Sequence, residues 1–565
     1  MRLPRLRPYV PSPDDPAIYW FNSERKDIID EVARRVTEHH STCRGDLEVI
    51  LNDAAMHESN RLSKQRDSEA EQSLGFWRGL MRRIARMSDA EKRAATHQIA
   101  FRFAKDVAGN FDPRVYAMSR AAVPRLITGV MRPAGLKSAL RPSSKERGTG
   151  RNTADGLLRI EGDVERLRRL QKDGALVYVP THSSNLDSIV LGRALERSNL
   201  SPVVYGAGKN LFTNPIISFF MHNLGAYRVD RRVRARIYKD VLKSYSQVMI
   251  ERGYHSLFFP GGTRSRSNLI ERKLKLGLAG SAVTAFSRNQ VHGVARRVYF
   301  VPTTINYELV LEAETLIEDW LKEEGAARYI IEDDEFSRVD RWVSFFQKLV
   351  SQTSACIVRF GEPIDPFGNV IAEDGTSIGP GGTSIDPRSY VLHRGEAVLD
   401  AARDAAYTQD LGEVLVERFP KDTVIMATAL VAHVLYRRLV RQTLTLDLFT
   451  RLRLRGDVSV ARDEFEREVG ETRDRLCELE AKGCVRLSDS IRDAEPAVIV
   501  KRALDVWNGY HSRTAAKDLG VEITAEDPTL LLYYQNRLVP FAADLAGPAD
   551  AEAARAIGAA IVGKS

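Results

Sequence analysis

Cysteine is scarce in this chain: 4 in 565 residues. Cys43, Cys356, Cys477 and Cys484 show none of the spacings of a metal-ligand set, so no metal site is expected. Cys477 and Cys484 fall on one predicted helix and read as packing residues. The opening Met-Arg-Leu-Pro-Arg-Leu-Arg-Pro has no apolar core of a secretory signal, and a reducing cytoplasmic setting is expected. Long apolar runs are also missing. A spanning helix needs about 18 or more consecutive apolar residues. The nearest stretch, Thr423 to Leu435, is shorter and carries His433. Any membrane role is therefore expected to be peripheral. Interleaved aromatics are missing from the basic run 231–243, apart from Tyr238, which argues against nucleic acid as a partner. Neither Ser183 nor Ser184 sits in a Gly-x-Ser-x-Gly elbow, which weakens a serine-nucleophile reading for them.

What is present is a basic balance, +8 at neutral pH, on an ordinary apolar content of 43%. There is room for two or three domains and a large core. The charge suits an anionic partner: an anionic membrane face or phosphorylated molecules. Charged helical patterning from Asn22 to about Ala134 predicts an N-terminal helical region within 1–150, with 141–152 as a linker. Short apolar strands alternating with helical segments predict an α/β domain over 151–365, with strands at 175–179, 202–206, 255–259, 298–303 and 355–360. The Gly-rich segment 366–395 reads as a flexible loop, and 396–565 as a C-terminal helical region. The stretch 75–86 mixes bulky apolar residues with Arg. It reads either as a membrane-surface helix or as a helix packed on its own domain.

Two strand-to-turn junctions carry chemistry. In Val177-Tyr-Val-Pro-Thr-His-Ser-Ser-Asn-Leu-Asp187 an apolar strand ends at Pro180 and an apolar helical pattern begins near Asp187. His182 in the turn and Asp187 at the helix start form a base with an orienting acid. In Ser256-Leu-Phe-Phe-Pro-Gly-Gly-Thr-Arg-Ser-Arg266 a second strand enters a turn whose Gly261 and Gly262 free the backbone. Arg264 and Arg266 there can fork onto a phosphate. Between these lie Tyr205-Gly-Ala-Gly-Lys209 and Leu224-Gly-Ala-Tyr-Arg-Val-Asp-Arg231, and further on Val298 to Glu308. Together these residues suggest a phosphorylated substrate that loses a proton.

The four stretches resemble, in order and spacing, the four blocks of the glycerolipid acyltransferases. His182 and Asp187 fit its His-x-x-x-x-Asp block, Leu224–Arg231 the second, Gly262–Ser267 the third, and Val301-Pro302 with Tyr307-Glu308 the fourth. Val358–Ile364, Thr428–Leu435 and Leu532–Leu538 resemble segments of the large glycerol-3-phosphate acyltransferases. One departure stands out: the family's Glu before Gly-Thr-Arg is here Gly261, which offers no carboxylate to an acceptor's hydroxyls. The resemblance implies a central acyltransferase α/β domain between helical regions. It implies acylation of sn-glycerol 3-phosphate by acyl-CoA or acyl carrier protein at the cytoplasmic membrane face, with no cofactor. In that scheme His182 is the base and Asp187 its orienter. Arg231, Arg264, Arg266 and Lys209 hold phosphate, and the backbone at Gly261 and Gly262 holds the oxyanion. Dihydroxyacetone phosphate or lysophosphatidate as acceptor, and a non-catalytic membrane-binding scaffold, are the alternatives.

Overall fold

Buried strands of a mostly parallel sheet need apolar residues on both faces, and two segments of this chain have them. In the computed structural model, which describes residues 9–42, 46–65, 68–120, 158–212, 215–324, 356–547 and 550–562, these become the centre of a seven-stranded sheet. The expected linker at 141–152 and Cys43 lie outside the described residues. The strands are β1 (Leu158–Glu161), β2 (Gly174–Pro180), β3 (Val204–Gly208), β4 (Ala226–Val229), β5 (Ser256–Leu257), β6 (Arg297–Tyr307) and β7 (Cys356–Phe360), in the order β1-β7-β6-β2-β5-β3-β4. Every residue of β2 is buried. β2 pairs in parallel with β6 and β5, and β3 in parallel with β5 and β4; β6 and β7 run antiparallel.

Side chains of β2 alternate between two layers, as the two-residue period requires. Leu176 and Tyr178 pack with Leu167, Leu170, Leu191 and Leu195, from the helices Val164–Asp173 and Asp187–Arg197. Ala175, Val177 and Val179 pack on the other face with Val283 and Phe286 of the helix Gly277–Val291 and Leu415 of the helix Ala401–Asp422. The fold is thus helices on both faces of a mixed sheet. The N-terminal helices Phe21–Ser41, Asp46–Leu62, Ser68–Arg83 and Asp89–Val107 share a core with the helix Arg236–Glu251. A third core gathers around the helix Ala427–Gln442, which is buried along nearly its whole length.

Three expectations change. Strands β1 and β4 were not foreseen: each is four residues long and contains a charged side chain, too short for a periodicity to register. Segment 366–395, expected as a loop, carries the two-residue strands Val370–Ile371, Ser377–Ile378 and Ser384–Ile385 in one antiparallel sheet. In the 75–86 stretch the apolar residues Trp77, Leu80 and Ile84 are buried in the N-terminal core. The packed-helix alternative therefore holds there, and those side chains are not available to a bilayer. No helix among the described residues is long and apolar enough to cross a membrane.

Candidate active site

Because β2 through β6 are linked by parallel pairings, their carboxyl ends share one edge of the sheet. That edge is where open α/β sheets form binding crevices. His182 follows β2, Lys209 follows β3, Arg231 follows β4, the 259–271 loop follows β5, and Tyr307 closes β6.

The His182 turn is built around one carboxylate. Asp187 opens its helix and is fully buried. Its Oδ2 accepts the backbone N–H of Ser183 (2.7 Å) and Ser184 (3.0 Å) and the Nδ1 of His182 (2.7 Å). Its Oδ1 accepts the hydroxyl of Tyr307 at 2.7 Å. Four donors thus satisfy the two oxygens of this buried carboxyl group. Burial and the neighbouring Asp187 charge hold the Tyr307 phenol well above its usual range, so it remains a donor. With Nδ1 committed to Asp187, the neutral imidazole carries its lone pair on Nε2, which meets no partner among the described residues. The ring stacks on Phe259, centroids 4.0 Å apart. A ring face there favours the imidazolium that forms on proton uptake.

The Gly-rich loop lies directly against this turn: Ser265 N–H donates to His182 O at 2.7 Å. Gly262 has φ +71°, a left-handed conformation in which a side chain would be strained, and an added Cβ would also displace the flexible Lys275 side chain, whose Cδ lies 2.6 Å away. Its N–H donates to Phe259 O at 3.0 Å, closing the turn. The expected oxyanion role therefore does not fit Gly262 in this conformation. The amide of Gly261 has no hydrogen-bond partner among the described residues.

The basic candidates are brought to the same edge but do not converge on one point. Arg231 is exposed and donates to Gly262 O at 2.7 Å, tying the β4 end to the loop. Arg264 is half-buried and pairs with Glu312 at 3.4 Å. Arg266 turns outward to Glu323. Lys209 lies between Asp230 (3.5 Å) and Asp106 (3.8 Å), so two carboxylates offset its charge.

Several residues at the site carried no motif. Glu312, buried, accepts Ser184 Oγ–H at 3.0 Å and Asn185 N–H at 3.0 Å. Burial raises its carboxyl above the usual range, and the Asn185 amide and the Arg264 charge oppose that shift. Arg537, from the C-terminal region, donates to Ser183 Oγ. Both serine hydroxyls are thus engaged away from the His182 ring, leaving no serine–imidazole pair for an acyl-enzyme route. Glu271 accepts the His182 backbone N–H at 2.8 Å. Tyr307 could have been found, since it stands in the fourth block, and Arg537 lies in the Leu532–Leu538 segment, whose resemblance carried no role for it; Glu271 and Glu312 have no sequence signal.

Among known proteins, residues 162–306 match the Acyltransferase family model. The chain is similar to the glycerol-3-phosphate acyltransferase of Histophilus somni, 33% identical over 155 residues, 27% of this chain and 18% of that protein. It is similar to those of Pasteurella multocida (30% over 204 residues) and Glaesserella parasuis (32% over 203), each match taking 36% of this chain and 23% of the relative. The matched region therefore spans about a fifth of the length of these relatives.

Proposed function

We propose that this chain is a glycerol-3-phosphate 1-O-acyltransferase that uses an acyl thioester. The observation that carries the reading is the His182 imidazole, oriented by Asp187 with Nε2 unengaged, beside a glycine-rich, arginine-bearing loop at the sheet edge. The similarity to relatives named for this activity supports it.

Nε2 takes the proton of the 1-hydroxyl as that oxygen attacks the thioester carbonyl carbon. The carbonyl oxygen becomes an oxyanion, for which the Gly261 amide is the available donor; one such donor contributes roughly 3 kcal/mol in known cases. The C–S bond then breaks, and the departing thiolate takes the proton from Nε2. Asp187 orients the ring and stabilises its charged form throughout. No covalent enzyme intermediate is needed, because holding both substrates side by side supplies a large effective molarity. Arg231, tied to the Gly262 carbonyl, and Arg264 are the cations we assign to the acceptor's phosphate. The exposed basic face Arg231, Arg232, Arg234, Arg236 and Lys239 suits an anionic bilayer, where the acyl donor and product partition.

The test is purified protein with labelled long-chain acyl-CoA or acyl carrier protein and each acceptor in turn. Lysophosphatidate formed from glycerol 3-phosphate, and lost in His182→Ala, is expected. Product only from dihydroxyacetone phosphate or lysophosphatidate would reassign the acceptor. No product from any would leave a non-catalytic scaffold.

A further inference from the structure

Position 261 has no side chain to offer a substrate, yet a carboxylate stands next to it. A Cβ built on Gly261 would lie 3.6 Å from Glu271 Cγ, so the Glu271 side chain occupies the space a side chain at 261 would enter. One of its oxygens, Oε1, accepts the His182 N–H at 2.8 Å. The other, Oε2, is closed to solvent and meets no donor. The residue as a whole is half-buried. Burial raises its carboxyl above the usual range, while the nearby Arg537 and His182 charges pull it back. A shielded carboxylate oxygen without a donor is unfavourable by itself, and one beside a general base is where a ligand's hydroxyl would be met. The terminal torsion of a glutamate is soft, so the carboxylate can turn Oε2 out of this shielded position toward a ligand at little cost.

From these contacts we infer that Glu271 is the acceptor-binding carboxylate of this site. It takes a hydrogen bond from the hydroxyl next to the one that reacts, and it does so from a position ten residues downstream of the usual one. Arg537, which donates to Ser183 Oγ beside His182 and whose charge acts on Glu271, is the side chain that donates to that hydroxyl's oxygen. A secondary hydroxyl both gives and takes a hydrogen bond; a ketone only takes. The pair therefore selects a vicinal diol phosphate over a keto phosphate. This inference rests on the proposed acyl transfer to glycerol 3-phosphate.

Glu271→Gln is the informative variant, because its amide oxygen can still accept the His182 N–H while the anion is gone. The expected result is a KM for glycerol 3-phosphate raised at least tenfold, with donor KM and melting temperature unchanged. The wild type should prefer glycerol 3-phosphate to 3-hydroxypropyl phosphate, which lacks the second hydroxyl, and Glu271→Gln should lose that preference. Gly261 is outside the left-handed region, so Gly261→Glu in a Glu271→Ala background should restore it. A Glu271→Gln enzyme with wild-type acceptor KM and wild-type preference overturns the inference. A wild type that acylates neither acceptor overturns the proposed function instead.

Discussion

Asp187 joins three parts of the chain: its own turn, the imidazole and the end of β6. Exchanging it for Asn sets an NH2 group against two backbone N–H donors and the imidazole, since one oxygen serves all three. Asp187→Asn should lower kcat by roughly 10²–10⁴-fold through the wrong ring tautomer, read as turnover on saturating acceptor. His182→Ala should lose at least ~10²-fold with an unchanged melting temperature; retention of a tenth of wild-type kcat would remove His182 as the base. Tyr307→Phe takes one donor from Asp187 Oδ1. It should cost about 0.5–1.5 kcal/mol in transition-state stabilisation, a tenfold fall in kcat at most. His182 and Asp187 were legible because they stand five positions apart in one strand-to-helix turn. Glu271 and Arg537 were not: they reach the turn from 89 and 354 residues away, and no local periodicity encodes such a contact.

Among elements, the helix Ser68–Arg83 shows how a sequence pattern can serve two outcomes. Bulky apolar residues with Arg describe a membrane-surface helix and a packed amphipathic helix equally well, and only the partner decides. Here Trp77 is 1% exposed and stacks near Phe103, so the partner is protein. Trp77→Ala should destabilise by about 3–5 kcal/mol in denaturant unfolding and leave vesicle binding intact. The central strands were read to within a few residues because their runs are continuously apolar. Where the helix Phe21–Ser41 meets the helix Arg236–Glu251, His40 is fully buried between Asp46 (2.7 Å) and Asp240 (3.1 Å). Burial alone would push that imidazole down, but hydrogen bonds to Asp240 and Asp46 outweigh it and hold it above its usual value. The folded state therefore binds the proton more tightly than the unfolded chain. The stabilisation is complete below about pH 6.5 and fades as pH rises through the folded value. Melting temperatures of wild type and His40→Gln should converge across that rise; a gap that widens with pH refutes the assignment.

For the whole molecule, charge and core give opposite instructions about membranes. Both segments that could have inserted keep most of their apolar side chains inside: Trp77, Leu80 and Ile84 in one, where Met81 is the exposed exception at 42%, and Val233, Ile237, Tyr238 and Val241 in the other. The exposed remainder is basic. Liposome flotation should therefore show binding to anionic vesicles that salt removes nearly completely, since the Debye length is roughly 10 Å at about 0.1 M. Equal recovery with neutral vesicles at low salt would refute this. The His182 turn also leans on distant chain: Arg537 holds Ser183, Asn536 Nδ2–H donates to Ser267 O at 2.8 Å, and Asn268 Nδ2–H donates to Tyr533 O at 3.1 Å. Synthesis proceeds from the amino end at about 5–20 residues per second, so the 354 residues between Ser183 and Arg537 take roughly 20–70 s to add. For that interval a nascent chain displays its base and lacks the wall behind it. The proposed acyl transfer is thus a property acquired late, and a chain cut short before Arg537 would carry the motif without the contact that holds Ser183.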